Sequence, residues 1–478
     1  MSISPDSDQL KAIMHGLGPA MVIAGPGSGK TAVITGRAAS LINCGLAAPD
    51  SILVITFTHT AAAEMHQRFL RLSAGERREG PVMTGNTPVF GTFHSVFYSL
   101  LRHHTGFGSY TLATHAQSAE VLRRLFDRLY PDNRYSSDLY SNLLNSISRF
   151  KNGIRDQDPS SSFMGQEPFG LIREYDKMMR EIGLFDFDDM LLEFYAALKK
   201  DRMFLQAVRS RFRFIMIDEF QDINALQFEI IRMMAQEHRN LFVVGDDDQS
   251  IYAFRGSRPE IMLGFTGYYP DAVLYTCVSN YRSQAEIIFA SRRLIERNRH
   301  RFGKALKAVN PPGAKVTVRT FSDSRREAVY VAGCIADHLQ RNPLWSFGIL
   351  FRNHRLQSEV RRELVKRGLW EETEKGRIRL LTFHASKGLE FDVVFLIGAN
   401  DETVPGIRHS VTEDEEAVIE EERRLFYVAM TRAKKILHIS NTKYIYNKKQ
   451  TISRYVLEAL SMRDRLRYFA WEMLNSNE

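Results

Sequence analysis

Residues Ala24-Gly25-Pro26-Gly27-Ser28-Gly29-Lys30-Thr31 have the types and order needed to grip a chain of phosphates. Closely spaced glycines let the backbone bend until several N–H groups converge on an anion. Lys30 offers a mobile positive charge for the β- and γ-phosphates, and the Thr31 hydroxyl offers an oxygen ligand for Mg²⁺. The first position is Ala24, where the common pattern has glycine. Such a loop must be delivered by a strand and must open a helix, whose N-terminus adds partial positive charge. The flanks meet that demand. Met21-Val22-Ile23 reads as a buried strand, and Ala32-Val33-Ile34-Thr35-Gly36-Arg37-Ala38-Ala39 as a helix. The loop alone does not say how phosphate energy is used, and a glycine-rich turn in some other α/β protein is the alternative.

Two further apolar runs end in acidic clusters. Phe214-Ile215-Met216-Ile217 leads into Asp218-Glu219-Phe220-Gln221-Asp222, and Leu241-Phe242-Val243-Val244 into Gly245-Asp246-Asp247-Asp248-Gln249. Parallel α/β sheets collect their chemistry at the carboxyl ends of strands. Asp218 can hold Mg²⁺ through water, opposite Thr31, and Glu219 can orient or deprotonate an attacking water. Hydrolysis also needs positive charge on the transferred phosphoryl group. The second half offers Arg282, in Asn280-Tyr281-Arg282-Ser283, and Arg432, in Val428-Ala429-Met430-Thr431-Arg432-Ala433. A surface position is the ordinary alternative for both. Were both to reach the γ-phosphate, ATP would bridge two α/β units and hydrolysis would loosen the bridge, giving a two-state hinge. Phe57, Tyr252 and Phe254 follow strands of the first unit; exposed rings there could stack on bases, and core packing is the alternative.

The 478 residues suggest about three folding units. At 44% hydrophobic and 25% charged, the composition is that of a soluble globular protein. No apolar run approaches the ~18 residues of a membrane span. The start, Met1-Ser2-Ile3-Ser4-Pro5-Asp6, lacks the basic and apolar regions of a secretory signal. Cys44, Cys277 and Cys334 lie far apart and read as buried small residues in a reducing cytoplasm, with no zinc spacing. The net charge of +8 weakly favours a polyanionic partner.

Residues 1–97 alternate strand and helix patterns. Residues 98–185 read as a helical insertion, with a loop signal in Pro159-Ser160-Ser161-Ser162. Arg149 and Lys151 on it suit either phosphate contact or a solvated face. The α/β pattern resumes over 186–275, and a second α/β unit occupies 276–478. Gln9 reads as an exposed helix residue, Glu371-Glu372-Thr373-Glu374-Lys375-Gly376 as a linker or tight loop, and Glu413-Asp414-Glu415-Glu416 as a solvated loop.

These motifs, in this order, resemble the UvrD/Rep-type helicases of superfamily 1 over nearly the whole chain. The resemblance implies two RecA-like parallel-sheet domains with a helical insertion in the first. It implies an ATP-dependent DNA translocase or helicase moving 3′-to-5′ on single strands, with ATP and Mg²⁺ held between the domains. It makes Gln9 the adenine reader, residues 24–31 the phosphate loop and Gln249 the γ-phosphate sensor. It places Tyr281 on adenine, Arg282 on the γ-phosphate, Glu390 beside Gly388 at the ribose, and Arg432 as the arginine finger. Thr56-Phe57-Thr58, Thr92-Phe93-His94-Ser95, Tyr252, Phe254, Arg255 and His384 fall in motifs that meet DNA. Ala32 stands where many members carry arginine, and Phe254 where tryptophan is usual. Arg282 and Thr382 are only 100 residues apart, too close for the family's large second insertion, whose scar would lie near residues 370–377. Melting a base-pair step costs about 1.4 kcal/mol, so the compact chain would need something to hold the duplex. A motor subunit beside a nuclease, in repair or phage defence, fits that lack. An ATP-dependent DNA-binding switch and an RNA motor are the competing expectations.

Overall fold

The computed structural model describes residues 4–75, 87–104, 110–129, 137–152, 168–406, 413–445 and 447–474. The loop signal at 159–162 and the Arg149 side chain lie outside the described part. The chain forms two compact units. The first comprises Met1–Ile23, Lys30–Gly245 and Tyr252–Thr276; the second comprises Ala24–Gly29, Asp246–Ile251 and Cys277–Glu478.

In the first unit six strands lie in the order Val89–Thr92, Ile52–Thr56, Phe214–Ile217, Leu241–Gly245, Ala20–Ala24, Val273–Cys277. The first five pair in parallel, with Ile23 opposite Gly245 and Ile55 opposite Ile217. Ala20–Ala24, Ile52–Thr56, Phe214–Ile217 and Leu241–Gly245 are buried at every position, as strands covered on both faces must be. Their continuous Val and Ile runs supply that burial, worth about 1.5–3 kcal/mol per large side chain. The last residue of Leu241–Gly245 is glycine because a Cβ there would lie 2.8 Å from Gln221 Oε1 and 2.9 Å from Met262 Sδ.

The helix Phe93–His104 runs unbroken past residue 98 and stacks Phe97 on Phe194 of the helix Phe187–Lys200, ring centroids 4.6 Å apart. Helices His115–Leu129, Ser137–Lys151 and Pro168–Glu181 then share a core of Leu122, Leu125, Phe126, Ile147, Tyr175 and Met179. Two-residue strands, Thr111–Leu112 and Leu184–Phe185, pair in parallel where this bundle is entered and left. Lys151 is neither solvated nor turned to a phosphate. Its ammonium is buried 2.7 Å from Asp176, 2.8 Å from Asp186 and 2.7 Å from Asp189. Burial raises the Asp186 carboxyl to about 6 despite Lys151. Removing one partner from a buried ionic cluster costs about 3–5 kcal/mol. Lys151→Met should therefore lower the denaturation free energy by about that much; an unchanged urea midpoint would show the cluster to be energetically idle.

In the second unit the order is Thr317–Asp323, Ala433–Ile445, Phe391–Leu396, Phe347–Phe351, Ile378–Thr382, all parallel, with Lys448–Lys449 antiparallel on Ala433–Ile445. Val331, Ile335, Phe347, Ile349, Leu364, Val393 and Phe395 fill its core. Fold class is thus mixed α/β with two parallel sheets, as the resemblance to a two-domain RecA-like plan implies. Three local expectations are corrected. Residues 371–376 are not a bare loop: Trp370–Glu374 is a short helix, with the Arg361 guanidinium 4.9 Å over the Trp370 ring. Glu413 opens the helix Glu413–Met430, so the acidic run begins a helix, where negative charge suits the N-terminal dipole. Of the cysteines only Cys277 is buried; Cys44 is exposed and Cys334 half-buried. Among the described residues no helix is long and apolar enough to cross a membrane.

Candidate nucleotide and nucleic-acid sites

In the first unit, Lys30 opens the helix Lys30–Asn43 directly after the glycine-rich turn. Its Nζ lies 3.5 Å from Glu219 Oε1. Glu219 itself has φ +53°, a left-handed backbone that a side-chain-bearing residue adopts only under constraint. Gln221 Nε2 donates to the second Glu219 oxygen. Asp218 is buried beside it, its N–H donating to Ile55 O at 2.9 Å. Burial, then the Glu219 charge, raises the Asp218 carboxyl to about 7, against a smaller opposing pull from Lys30. Among the described residues Lys30 Nζ and Asp218 Oδ1 are buried atoms that make no hydrogen bond. Leaving such groups unsatisfied costs about 1–3 kcal/mol each. A phosphate oxygen on Lys30 and a hydrated divalent cation on Asp218 would satisfy both, so these residues fit the Mg²⁺–nucleotide chemistry expected of them, with the Thr31 hydroxyl as the further oxygen donor.

The raised Asp218 pKa carries a sign. Its folded value exceeds the ordinary 3.8, so its contribution to stability is complete below about pH 4 and is lost as pH rises through about 7. Cation binding needs the ionised form and runs the opposite way. Mn²⁺ affinity, read by paramagnetic relaxation with nucleotide present, should rise about fivefold between pH 6 and 7. Asp218→Asn should flatten that profile; an equally steep one would remove Asp218 from the metal site.

Gln9 is 5% exposed, not a surface residue. Its Oε1 accepts from the Asp6 N–H at 2.9 Å, while Asp6 Oδ1 accepts from the Gln9 N–H at 2.8 Å. This reciprocal cap starts the helix Ser7–Ile13 and fixes the Gln9 side chain.

In the second unit, the turn Ala24–Gly29 folds on itself, Ser28 Oγ donating to Gly25 O at 2.8 Å. Asn280 Nδ2 donates to Pro26 O at 2.6 Å, and the Tyr281 N–H to Gly27 O at 3.0 Å. Gly27 has φ +66°, and a Cβ on it would lie 2.7 Å from Arg282 Cβ. Only glycine serves there. Gly388 also has a left-handed φ, +82°. Arg282 Nε lies 2.6 Å from Glu390 Oε2, and Lys434 Nζ 3.0 Å from Glu390 Oε1. The arginine expected at the γ-phosphate and the glutamate expected at the ribose are thus paired with each other. Arg432 is 2% exposed, so the surface alternative fails. Its Nε donates to Val428 O at 2.9 Å, Nη1 to Leu389 O at 3.2 Å, and Nη2 to Gln249 Oε1 at 3.2 Å. The sequence reading missed three participants. Lys387 Nζ donates to Gln249 O at 2.8 Å, Asn280 ties down the turn, and Lys304 binds the aspartates before Gln249. None carries a motif signature beyond its neighbours.

Of the expected nucleic-acid residues, Phe57 is 36% exposed and meets Phe93 edge-on at 6.4 Å. Thr58 Oγ1 accepts from the Ala61 N–H at 3.1 Å, capping the helix His59–Gly75. Burial lowers the His94 imidazole to about 4, so it meets Phe187 edge-on as a neutral ring rather than as a cation for phosphate. Tyr252 and Phe254 stand edge to face at 6.1 Å, and the Arg255 guanidinium lies 5.5 Å and 5.6 Å from their rings. Phe254 is 45% exposed, so the trio presents an aromatic face with a cation beside it. His384 begins the turn His384–Ser386 in the second unit. Phe254→Ala should weaken single-strand affinity by about 1–3 kcal/mol in a fluorescence titration, since base stacking is worth that much per ring; unchanged affinity would take Phe254 off the strand.

Residues 6–270 match the UvrD/REP helicase N-terminal domain. The UvrD-like helicase C-terminal domain matches in two pieces, 275–371 and 368–444. The chain is similar to YjcD of Bacillus subtilis, 34% identical over 360 residues, 74% of this chain and 46% of that protein. It is similar to ATP-dependent DNA helicase Rep of Escherichia coli, 31% identical over 375 residues, 75% and 53% of the two chains. A protein of Mycoplasma pneumoniae named "Probable DNA helicase" is 29% identical over 458 residues, 91% of this chain and 82% of its own. The chain spans about half the length of most of these relatives. With the first-domain match covering more than half of the sequence, the chain belongs to the UvrD/Rep helicase family.

Proposed function

We propose that the chain is an ATP-hydrolysing motor that travels 3′-to-5′ on single-stranded DNA and opens duplex at single-strand junctions. The observation that carries this reading is the buried, unbonded pair Lys30 Nζ and Asp218 Oδ1, with Glu219 beside them. That is the equipment for hydrolysing a phosphoanhydride, not merely for holding one. The substrate and direction come from the family and from the printed names of relatives such as ATP-dependent DNA helicase Rep. In this reading ATP and Mg²⁺ are the cofactors. Lys30, Thr31, Asp218, Glu219, Gln249, Arg282 and Arg432 then serve one nucleotide, with Gln9 and Tyr281 at its base and Glu390 at its sugar. Residues 98–185 remain the proposed insertion, and the proposed place of action is the cytoplasm.

A second reading has its own observation. The C-terminal family match breaks at 368–371, where the chain makes only the short helix Trp370–Glu374 before the strand Ile378–Thr382. A motor without its large second insertion has less to hold a duplex, which supports a translocase or DNA-binding switch completed by a partner, such as a nuclease in repair or defence. The deciding experiment is strand displacement on a short duplex with a 3′ or a 5′ single-stranded tail, with ATP. Displacement from the 3′ tail alone is expected. ATP hydrolysis stimulated by single strands without displacement would favour the partner-dependent switch, and equal activity on single-stranded RNA would favour an RNA motor.

A further inference from the structure

Three consecutive aspartates, Asp246, Asp247 and Asp248, are almost wholly buried in the second unit. Their carboxylates lie close enough together to hold a cation. The cation is already there, and it is a side chain. Lys304 Nζ, itself without exposure, lies 2.5 Å from Asp246 Oδ1, against Asp247 Oδ1, and 3.0 Å from Asp248 Oδ2. Arg301 adds a two-pronged grip on Asp248, at 2.8 Å and 2.7 Å, and the Phe302 N–H donates to Asp247 Oδ2 at 2.8 Å. Burial alone would lower the Lys304 pKa; Asp246, Asp248 and Asp247 reverse that and hold it fully charged.

The cluster is connected to chemistry through one further bond. Asp246 Oδ2, on the carboxylate that Lys304 grips by its other oxygen, accepts from Gln249 Nε2 at 2.6 Å. Gln249 Oε1 in turn accepts from Arg432 Nη2 at 3.2 Å. An amide has two ends that can be exchanged by a rotation, and only one orientation presents its oxygen to Arg432. Asp246, an acceptor at both oxygens when ionised, selects that orientation. The segment that carries Arg301 and Lys304 also approaches the glycine-rich turn, where a Cβ on Gly25 would collide with Leu306. It also pairs Lys307 and Ala308 with Ser279 and Asn280, next to Tyr281 and Arg282.

We propose that Lys304 is a positioning residue for Gln249: by fixing the Asp246 carboxylate it sets which end of the Gln249 amide meets Arg432. The proposal rests on the ATP-hydrolysing reading for its kinetic consequence, but not for its structural one. Arg301, the second cation on the aspartates, is bonded to Asp248, whereas Lys304 grips the Asp246 carboxylate that accepts from Gln249, so the role belongs to Lys304 in particular.

The test uses the full chain with selectively ¹⁵N-labelled glutamine. The Gln249 side-chain amide, assigned through Gln249→Ala, should give slowly exchanging proton resonances in the unaltered protein and in Lys304→Arg. In Lys304→Met those protons should exchange at least about tenfold faster. For turnover, Lys304→Met should lower kcat for single-strand-stimulated ATP hydrolysis about 100-fold, the scale of losing one preorganised electrostatic contact. KM for ATP should stay nearly constant, and Lys304→Arg should recover much of the loss. In a Gln249→Ala background, Lys304→Met should cost little more, because residues acting as one unit are not additive. Fully additive losses, or an unchanged Gln249 amide signal, would overturn the proposal. Should Lys304→Met fail to fold, Asp246→Asn interrupts the same link from the other side and is held to the same outcomes. If the unaltered chain hydrolyses no ATP, the functional reading fails while the amide signal still decides the positioning role.

Discussion

Lys30→Ala is expected to reduce ATP hydrolysis at least about a thousandfold, to the edge of detection, in a coupled assay with saturating single-stranded DNA. Two losses combine. The substitution removes the charge that would neutralise the transferred phosphoryl group. It also removes the cation 3.5 Å from Glu219, which is among the influences holding the Asp218 pKa down. Asp218 should then carry a proton to still higher pH, and cation affinity should fall along with catalysis. Lys30→Arg separates the two, since it keeps a charge near Glu219 with the wrong shape for the loop. It should restore the cation affinity more than the turnover. Normal hydrolysis by Lys30→Ala would falsify the phosphate-loop assignment outright.

Arg432→Ala should lower kcat about a thousandfold or more while nucleotide binding survives, because an arginine that stabilises phosphoryl transfer acts mainly on the transition state. Here the residue is also part of the fold. Its guanidinium is shared among Val428 O, Leu389 O and Gln249 Oε1, so truncation leaves buried acceptors unsatisfied at about 1–3 kcal/mol. A measurable drop in unfolding free energy should accompany the kinetic loss. Arg432→Lys distinguishes the contributions: it can keep one acceptor satisfied but cannot span three directions. Recovery of stability without recovery of kcat would assign the kinetic effect to the planar guanidinium. If nucleotide affinity and kcat fall in step, Arg432 serves ground-state binding instead.

Much of the fold was legible because the central strands of both sheets are buried on both faces. Runs such as Ile52-Leu53-Val54-Ile55 and Phe347-Gly348-Ile349-Leu350 leave few other readings. The candidate catalytic residues were legible for the same reason, since Asp218 and Gln249 follow such runs directly. What escaped was whatever depends on a distant partner. Lys151 and Lys304 look like ordinary solvated lysines until the fold surrounds each with three aspartates. Gln9 looked exposed because the reciprocal cap with Asp6 draws it inward. Burial lowers the His94 imidazole to about 4, which its place in a motif does not show. The acidic run from Glu413 reads as a loop on composition, yet a helix N-terminus accepts negative charge well. Arg282 and Glu390 were assigned to different parts of one nucleotide, and no local pattern shows that the two side chains pair with each other.

The Asp246–Ile251 segment belongs with residues made later in the chain, and this has a consequence for biosynthesis. Lys304 leaves the ribosome 58 residues after Asp246 (304 − 246), a delay of roughly 3–12 s at ordinary elongation rates. Throughout that interval the three aspartates have no counter-charge and stay in water. The first sheet can gather its strands during this wait, but the Gln249 segment cannot settle. A fragment cut after Thr276 would keep the carboxylates without their lysine, and the complementary piece would keep the lysine without its carboxylates. Neither half could bury what it holds, so this part of the chain cannot fold until the segment that carries Lys304 has been made.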